Sequence, residues 1–186
     1  MVTRRCGNEF ASPQKTIPRE LASMPESCFD PTSVRFSTID RWIEQEDPDF
    51  DIGCIHLDKP LVEAVGWFAV GTFPADDLTG FLVNISGYPG DRGKGNEQYH
   101  SVNRVLQVSD RRIFYDVDTF GGQSGAPVWI QESTNSVPIA VGIHAYGIRG
   151  TPGILGITAN SAPRMIPEVF DTVGGWIEQD GGLPTA

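Results

Sequence analysis

The sequence has little of what marks membrane proteins and nucleic-acid-binding proteins. Its longest stretch without a formal charge runs only from Ser133 to Ile148 and contains Pro138 and His144, whereas a membrane helix needs about 20 apolar residues. Its 14 Lys and Arg residues are outnumbered by 24 Asp and Glu residues, which gives a net charge of −10. Nucleic acids and anionic membranes bind basic surfaces. We therefore expect neither of them as a partner.

Cysteine is scarce, and the chain has no C-x-x-C motif and no histidine pair at ligand spacing. We therefore predict no metal site and no cofactor. Cys6 and Cys28 lie in proline-rich sequence and could form a disulfide in an oxidising compartment, whereas Cys54 lies in an apolar run and is expected to be a buried thiol. The segment 1–6 has basic residues with no apolar run behind them, so no signal peptide is expected in this chain.

The sequence does have many short apolar segments between turns, with 21 glycines and 14 prolines. From residue 33 onward, segments rich in β-branched and aromatic residues recur about every dozen residues, which is typical of an antiparallel sandwich or barrel. The strands are predicted at 33–39, 52–57, 66–71, 81–86, 101–108, 112–117, 126–130, 137–145 and 154–158. One helix is predicted at Ala162–Gln179, because apolar residues recur there at three- and four-residue steps.

Segment 118–128, Asp-Thr-Phe-Gly-Gly-Gln-Ser-Gly-Ala-Pro-Val, carries the clearest chemical signal. A serine flanked by glycines before a strand suits a hydroxyl held on a tight turn. The backbone amides of Gly122 and Ser124 can then converge on a developing oxyanion. The alternative is a glycine-rich hairpin with an incidental serine. An α/β-hydrolase does not fit, because position 126 is alanine and no histidine follows His144.

Four segments in this order resemble the chymotrypsin-fold serine peptidases, in particular their glutamyl endopeptidase branch. They are 49–53 (Asp-Phe-Asp-Ile-Gly), 87–91 (Gly-Tyr-Pro-Gly-Asp), 115–127 and 141–144 (Val-Gly-Ile-His). The resemblance spans about residues 33–180. It implies an all-β fold of two antiparallel six-stranded β-barrels, the first incomplete at its start, with a C-terminal helix. We expect residues 1–75 to form the partial first barrel and residues 76–186 to form the second barrel and the helix.

The same resemblance implies a role for each matching residue. Ser124 would attack the peptide carbonyl, Asp51 would orient a histidine base, and the amides of Gly122 and Ser124 would form the oxyanion hole. Thr119 and His144 would hold the acidic side chain of the substrate, although His144 alone could also be a structural strand histidine. The implied function is a secreted, monomeric serine endopeptidase that cleaves proteins or peptides after Glu, with Asp as the second option.

The sequence departs from this family in one respect, because no histidine precedes Asp51. His56, His100 and His144 all follow it, and none of them is expected to be the base. Two explanations stay open: a truncated chain that has lost the catalytic histidine, or a pseudoprotease that kept the fold for binding proteins. The persistence of Asp51, Ser124 and the pocket pair favours truncation. In either case we expect weak or no catalysis from this chain, since the serine hydroxyl lacks its activating base.

Overall fold

A computed structural model describes residues 34–57, 66–133, 135–150 and 157–181, together with the backbone of residues 14–15. The strands in these ranges are β1 Gln14–Lys15, β2 Arg35–Thr38, β3 Gly53–His56, β4 Ala69–Val70, β5 Leu82–Gly87, β6 Tyr99–Val108, β7 Arg112–Tyr115, β8 Pro127–Ile130, β9 Ile139–Ile143 and β10 Asn160–Pro163. The α-helices are α1 Asp40–Gln45, α2 Ala75–Leu78 and α3 Pro167–Gln179. None of these helices has the length and apolarity to cross a membrane.

Most of the strands lie in one sheet, in the order β10-β7-β6-β5-β8-β9-β4, with β1 also paired to β6. All pairings in this sheet are antiparallel except that of β4 with β9, which is parallel. Two isolated bridges, Gly142 with Arg164 and Tyr146 with Ser161, join β9 and its following turn to the β10 segment. These bridges bring the two ends of the six-strand path from β10 to β9 together, as in a barrel. A separate two-stranded sheet pairs β2 with β3.

The interior of the large sheet follows from the alternation of side chains along each strand. In β5 the buried positions are Val83, Ile85 and Gly87, and the residues between them are more exposed. Val83 and Ile85 join Ile113 of β7 and Val128 of β8 in the main hydrophobic core. Burying such side chains contributes about 1.5–3 kcal/mol each, which makes this core the rigid base of the loops between its strands.

A second apolar cluster packs helix α3 against the segment between α1 and β3. Phe50, Ile52, Met165, Val169 and Trp176 are its buried members. Phe50 is fully buried, so the chain immediately beside Asp51 is fixed by packing. This cluster therefore places the segment that carries Asp51.

The predicted helix is confirmed, but its predicted start at Ala162 is wrong. Residues 160–163 form β10 and pair with β7, and α3 begins at Pro167. The reason is that a residue before proline is driven to extended backbone, and Ile166 has φ −87° and ψ 163°. Pro167, not Pro163, is thus the proline in the first turn. The predicted strand 154–158 lies mostly outside the described residues, and 157–158 are not in a strand.

The remaining sequence expectations concern the three cysteines and the domain boundary. Cys6 and Cys28 both lie outside the described residues, so their disulfide stays a prediction. Cys54 is a free, half-buried thiol, somewhat more exposed than expected. The division at residue 75 also stays a prediction. It falls at the start of α2, beyond β4, which pairs with β9 of the large sheet.

Candidate active site

Ser124 lies on a tight loop whose shape depends on glycine. Gly122 and Gly125 have φ values of +107° and +88°, in the left-handed region that other residues rarely adopt. A Cβ at Gly122 would also lie 2.7 Å from the carbonyl oxygen of Tyr88. The neighbouring segment holds the loop in place, because the amide of Gly90 donates to the carbonyl of Gly121 at 2.8 Å.

The loop presents both a hydroxyl and unpaired amides. Ser124 is exposed, and its Oγ lies 3.5 Å from the carbonyl oxygen of Ala145. Within the described ranges, neither the Gly122 amide nor the Ser124 amide donates to a protein acceptor. Gln123 between them is buried, and its Oε1 accepts from the amide of Phe120 at 2.8 Å. The side chain at 123 thus fixes the loop while the amides at 122 and 124 stay available to an oxyanion.

Asp51 occupies the centre of an inverse γ-turn. Its φ of −70° and ψ of 70° fit that turn, and the amide of Ile52 donates to the carbonyl of Phe50 at 2.7 Å. The ring of Phe50 lies between the guanidinium groups of Arg41 and Arg111, at 4.8 and 4.7 Å from its centroid. Asp51 is therefore half-buried on a turn whose two flanking residues are both anchored.

One tripeptide, His144 to Tyr146, connects the candidate residues. Ser124 Oγ lies beside the carbonyl of Ala145. The amide of Gly125 donates to the carbonyl of His144 at 2.8 Å, and the amide of His144 donates to the carbonyl of Ala126 at 2.9 Å. Burial raises the pKa of Tyr146 to about 12, helped by the charge of the Asp51 carboxylate and its hydrogen bond to the phenol. The structure therefore places Ser124 and Asp51 against adjacent residues of a single segment.

His144 is a buried histidine with a buried tyrosine as its partner. Tyr115 Oη lies 2.5 Å from His144 Nδ1, and both side chains are almost completely inaccessible. Burial raises the pKa of Tyr115 well above its usual value, and it lowers the pKa of His144 to about 4. Both groups are therefore neutral near pH 7.

The Tyr115 hydroxyl is the donor of this hydrogen bond. If it accepted from Nδ1–H instead, its own buried proton would lack an acceptor among the described residues, at a cost of about 1–3 kcal/mol. Donation to Nδ1 places the imidazole proton on Nε2. His144 thus has a neutral N–H at Nε2, and it has this proton position because of a contact with Tyr115 that the sequence analysis did not predict.

Thr119 has a hydroxyl that no described group satisfies. Its Oγ1 is buried and has no hydrogen-bond partner, which is unusual because buried polar atoms are nearly always paired. It lies on the loop between β7 and Ser124, close in sequence to both. An acceptor such as a substrate carboxylate would satisfy this hydroxyl.

The structure brings no imidazole to Ser124. His56 contacts Asp180 and Ser37, His100 contacts Asn84, and His144 contacts Tyr115. Each ring thus has its own partner away from the serine hydroxyl. In the part of the chain that the structure describes, there is also no group of three His, Cys, Asp or Glu side chains that could hold a metal ion.

Two comparisons found known proteins that are similar to this chain, although no family model matches it. The glutamyl endopeptidase of Bacillus licheniformis is 36% identical over 132 residues, which are 69% of this chain and 39% of that protein. The solved structure of a Glu endopeptidase in complex with MPD is 26% identical, with a TM-score of 0.66, and the match covers 78% of this chain and 63% of that one. The chain belongs to the chymotrypsin-fold serine peptidases. The predicted all-β fold with a C-terminal helix is thereby confirmed.

Two further proteins that are similar to the chain are more distant. The extracellular metalloprotease of Bacillus subtilis is 26% identical over 148 residues, which are 80% of this chain and 44% of that protein. A scabies mite inactivated protease paralogue has a TM-score of 0.52 at 18% identity, over 78% of this chain and 66% of that one, and this likeness concerns the fold alone. The chain spans less than half the length of the curated relatives from the two Bacillus species.

Arg112 joins the Asp51 segment to the large sheet. It is fully buried at the start of β7. Its Nε donates to Asp49 at 2.9 Å, one terminal nitrogen donates to Ser161 at 3.2 Å, and the other donates to the carbonyl of Pro48. Its guanidinium also lies 5.1 Å from the ring centroid of Tyr146. Sequence analysis did not single out Arg112, although an arginine inside an apolar strand signals a buried acidic partner.

Proposed function

We propose that this chain provides the nucleophile and the acid-recognition pocket of a serine endopeptidase that cleaves after Glu. The observation that carries the proposal is the position of His144, a buried imidazole whose Nδ1 is bonded to Tyr115, on the segment that also contacts Ser124. Ser124 would attack the peptide carbonyl, and the amides of Gly122 and Ser124 would stabilise the oxyanion. Removing one such donor typically costs about 3–4 kcal/mol in catalysis.

The preference for Glu is supported by two donors that have no acceptor among the residues that the structure describes. The Nε2–H of His144 and the buried hydroxyl of Thr119 would both donate to the substrate carboxylate. A substrate with an apolar side chain would leave them unpaired, at a cost of about 1–3 kcal/mol for each. Aspartate would carry the same charge on a shorter side chain, which makes it the second option.

Proton transfer from Ser124 requires a base that the three histidines of this chain do not provide. Asp51 is held on its turn beside Tyr146, where its carboxylate would orient and stabilise an imidazolium in the manner of the family. In the absence of that imidazole, the oxyanion amides and substrate binding would still give a residual acceleration of about 10³–10⁴ over water. We therefore propose a weak activity for this chain by itself.

The substrate and the cellular location belong to the same proposal. The relatives' names describe endopeptidases and an extracellular protease, which supports protein or peptide substrates outside the cell. We propose that the chain acts as a monomer on such substrates.

A second candidate function is a non-catalytic domain that binds proteins with acidic residues. The contact between Asp51 and Tyr146 favours it, because the Asp51 carboxylate already accepts a hydrogen bond from a phenol. In that case Thr119 and His144 would still hold an acidic side chain, but Ser124 would not react.

A peptidyl phosphonate with a Glu side chain next to phosphorus distinguishes the two candidates. The enzyme proposal predicts phosphonylation at Ser124, faster in imidazole buffer than in a non-nucleophilic buffer, and absent in Ser124→Ala. The matched control is the phosphonate with a Gln side chain, which should react about tenfold or more slowly. Saturable binding of the Glu compound without any bond to Ser124 would favour the binding domain. Equal behaviour of the Glu and Gln compounds would contradict both candidates.

A further inference from the structure

A second cluster of hydroxyl, imidazole and carboxylate lies on the β2–β3 hairpin, in the sheet that does not carry Ser124. His56 Nδ1 lies 2.7 Å from Asp180 Oδ2, and His56 Nε2 lies 2.9 Å from Ser37 Oγ. His56 is buried, with 2% of its surface exposed, whereas Ser37 is half-buried. The three side chains form an unbroken hydrogen-bonded chain from the carboxylate to the hydroxyl.

The strand register and helix α3 bring these groups together. Arg35 pairs with His56 and Ser37 pairs with Cys54, so all four side chains lie on one face of the hairpin. Asp180 follows the last residue of α3 and reaches this face, where the Arg35 guanidinium also donates to its Oδ1 at 2.8 Å. Because Arg35 fixes one carboxylate oxygen, the other oxygen is directed to His56.

This arrangement determines which imidazole nitrogen carries the proton. An ionised Asp180 can only accept, so His56 holds its proton on Nδ1 and donates it to Oδ2. Nε2 then has a free lone pair, which accepts the hydroxyl proton of Ser37. This is the protonation state in which an imidazole acts as a general base toward a serine, with a carboxylate behind it. Ser124, by contrast, has no imidazole within hydrogen-bonding distance.

We propose that Ser37 is a second acyl-accepting hydroxyl of this chain, with His56 as its base, and that it takes small activated esters. Ser37 Oγ would form a bond to the acyl carbon as its proton moves to His56 Nε2. The bond from that carbon to the leaving oxygen then breaks, and the proton passes from Nε2 to the leaving group. The products are an ester on Ser37 and a free alcohol or phenol. We expect small acyl groups because Ser37 is half-buried, and large groups would not reach its hydroxyl.

The neighbouring thiol of Cys54 could react with the ester in place of Ser37. Burial raises the pKa of Cys54, and the charge of Asp180 acts in the same direction while Arg35 opposes it. The thiol is therefore protonated near neutral pH, and a protonated thiol is a poor nucleophile. Among the side chains of this face, Ser37 alone is both hydrogen-bonded to a base and able to form an ester.

The test uses 4-nitrophenyl acetate and a Ser124→Ala background, so that the proposed peptidase site cannot contribute. Release of nitrophenolate is followed over time, and the acetyl group is located by peptide mass spectrometry. We expect acetylation at Ser37 in the background protein and its loss in Ser124→Ala/Ser37→Ala. The matched control is Ser124→Ala/Ser136→Ala, because Ser136 is also half-buried but, among the described residues, its hydroxyl bonds only to the backbone of Ser133. This control should leave the acetylation of Ser37 unchanged.

A third variant tests the role of the carboxylate. Ser124→Ala/Asp180→Asn keeps the shape of the side chain but cannot hold His56 in the required tautomer, so acetylation of Ser37 should slow about tenfold or more. An unchanged rate in this variant would overturn the proposal. Acetylation confined to Cys54 or lysines in the background protein would also overturn it, and that mapping does not depend on how the variants fold.

Discussion

The hydrogen bond from Tyr115 to His144 determines whether Nε2 of His144 can donate a hydrogen bond to a ligand. A neutral imidazole is either an acceptor or a donor at Nε2, depending on where its single proton lies. Since Tyr115 donates to Nδ1, Nε2 becomes a donor, as the binding of a carboxylate requires. Tyr115, the last residue of β7, thus determines which ring nitrogen of His144 carries the proton, and His144 directly follows β9.

Replacing Tyr115 by phenylalanine should allow the His144 ring to adopt both neutral tautomers. In the unchanged chain, the ¹⁵N spectrum of the His144 ring is expected to show Nε2 protonated and Nδ1 unprotonated near pH 7. Tyr115→Phe should give a mixture of tautomers and should lower the free energy of unfolding by about 1–3 kcal/mol, because Nδ1 is left buried and unpaired. The His100 ring, which bonds to Asn84, is the internal control. A protonated Nδ1 in the unchanged chain would contradict this account.

The low pKa of His144 also makes a prediction about acid stability. The pKa is about 4 in the folded chain and 6.5 as the ordinary value, so between these values the unfolded state binds a proton that the folded state does not. The free energy of unfolding therefore falls as the pH drops from about 6.5 to about 4, by about 3 kcal/mol from this group, and the group has no further effect below that range.

Urea unfolding at about pH 7 and about pH 4 measures this contribution. The loss of stability between the two pH values should be about 3 kcal/mol smaller in His144→Gln than in the unchanged chain. Equal losses would mean that His144 is protonated as readily in the folded state as in the unfolded one.

At the scale of secondary-structure elements, Arg112 couples β7 to the turn that carries Asp51. Its buried guanidinium pairs with Asp49 and Ser161 from two different segments. Removing one partner of a buried ion pair is far more destabilising than removing a surface pair, because the remaining polar groups stay buried without partners. The neighbouring Arg111 pairs with Glu168 on the surface and offers a natural comparison.

Arg112→Met should lower the free energy of unfolding by about 3 kcal/mol, whereas Arg111→Met should cost about 1 kcal/mol or less. Denaturant unfolding of the two variants under the same conditions measures the difference. Equal costs would show that the buried contacts of Arg112 do not hold the Asp51 segment.

The elements also show how far the sequence determines the fold. Strands such as β5 and β6 were predictable because segments rich in β-branched and aromatic residues recur between turn residues. The start of α3 was not, since two prolines lie four residues apart and only the pairing of β10 with β7 decides which one begins the helix. The parallel pairing of β4 with β9 has no local signal, because it joins residues about 70 positions apart in the sequence.

The same limit applies to the candidate site. The glycines around Ser124 carry a local signal, because their positive φ values require glycine. Tyr115 and Tyr146 carry almost none, since their roles depend on partners that are distant in the sequence. Arg112 signals a buried acidic partner but not which residue that partner is.

At the scale of the whole molecule, the proposed recognition of an acidic side chain and the proposed catalysis depend on different parts of the fold. The large sheet supplies the glycine loop, the segment that follows β9 and begins with His144, and the buried Tyr115, while the cluster around Phe50 and α3 supplies Asp51. The proposed acid recognition involves only residues of the large sheet and its loops, and it can therefore be measured without any catalysis.

The most direct measurement is the affinity of the chain for two product-like peptides that end in Glu or in Gln, determined by calorimetry near neutral pH. The account predicts that the Glu peptide binds about tenfold or more tightly, and that His144→Gln reduces the difference to the part that Thr119 contributes. Equal affinities for the two peptides, or a preference for Glu that is undiminished in His144→Gln, would contradict it.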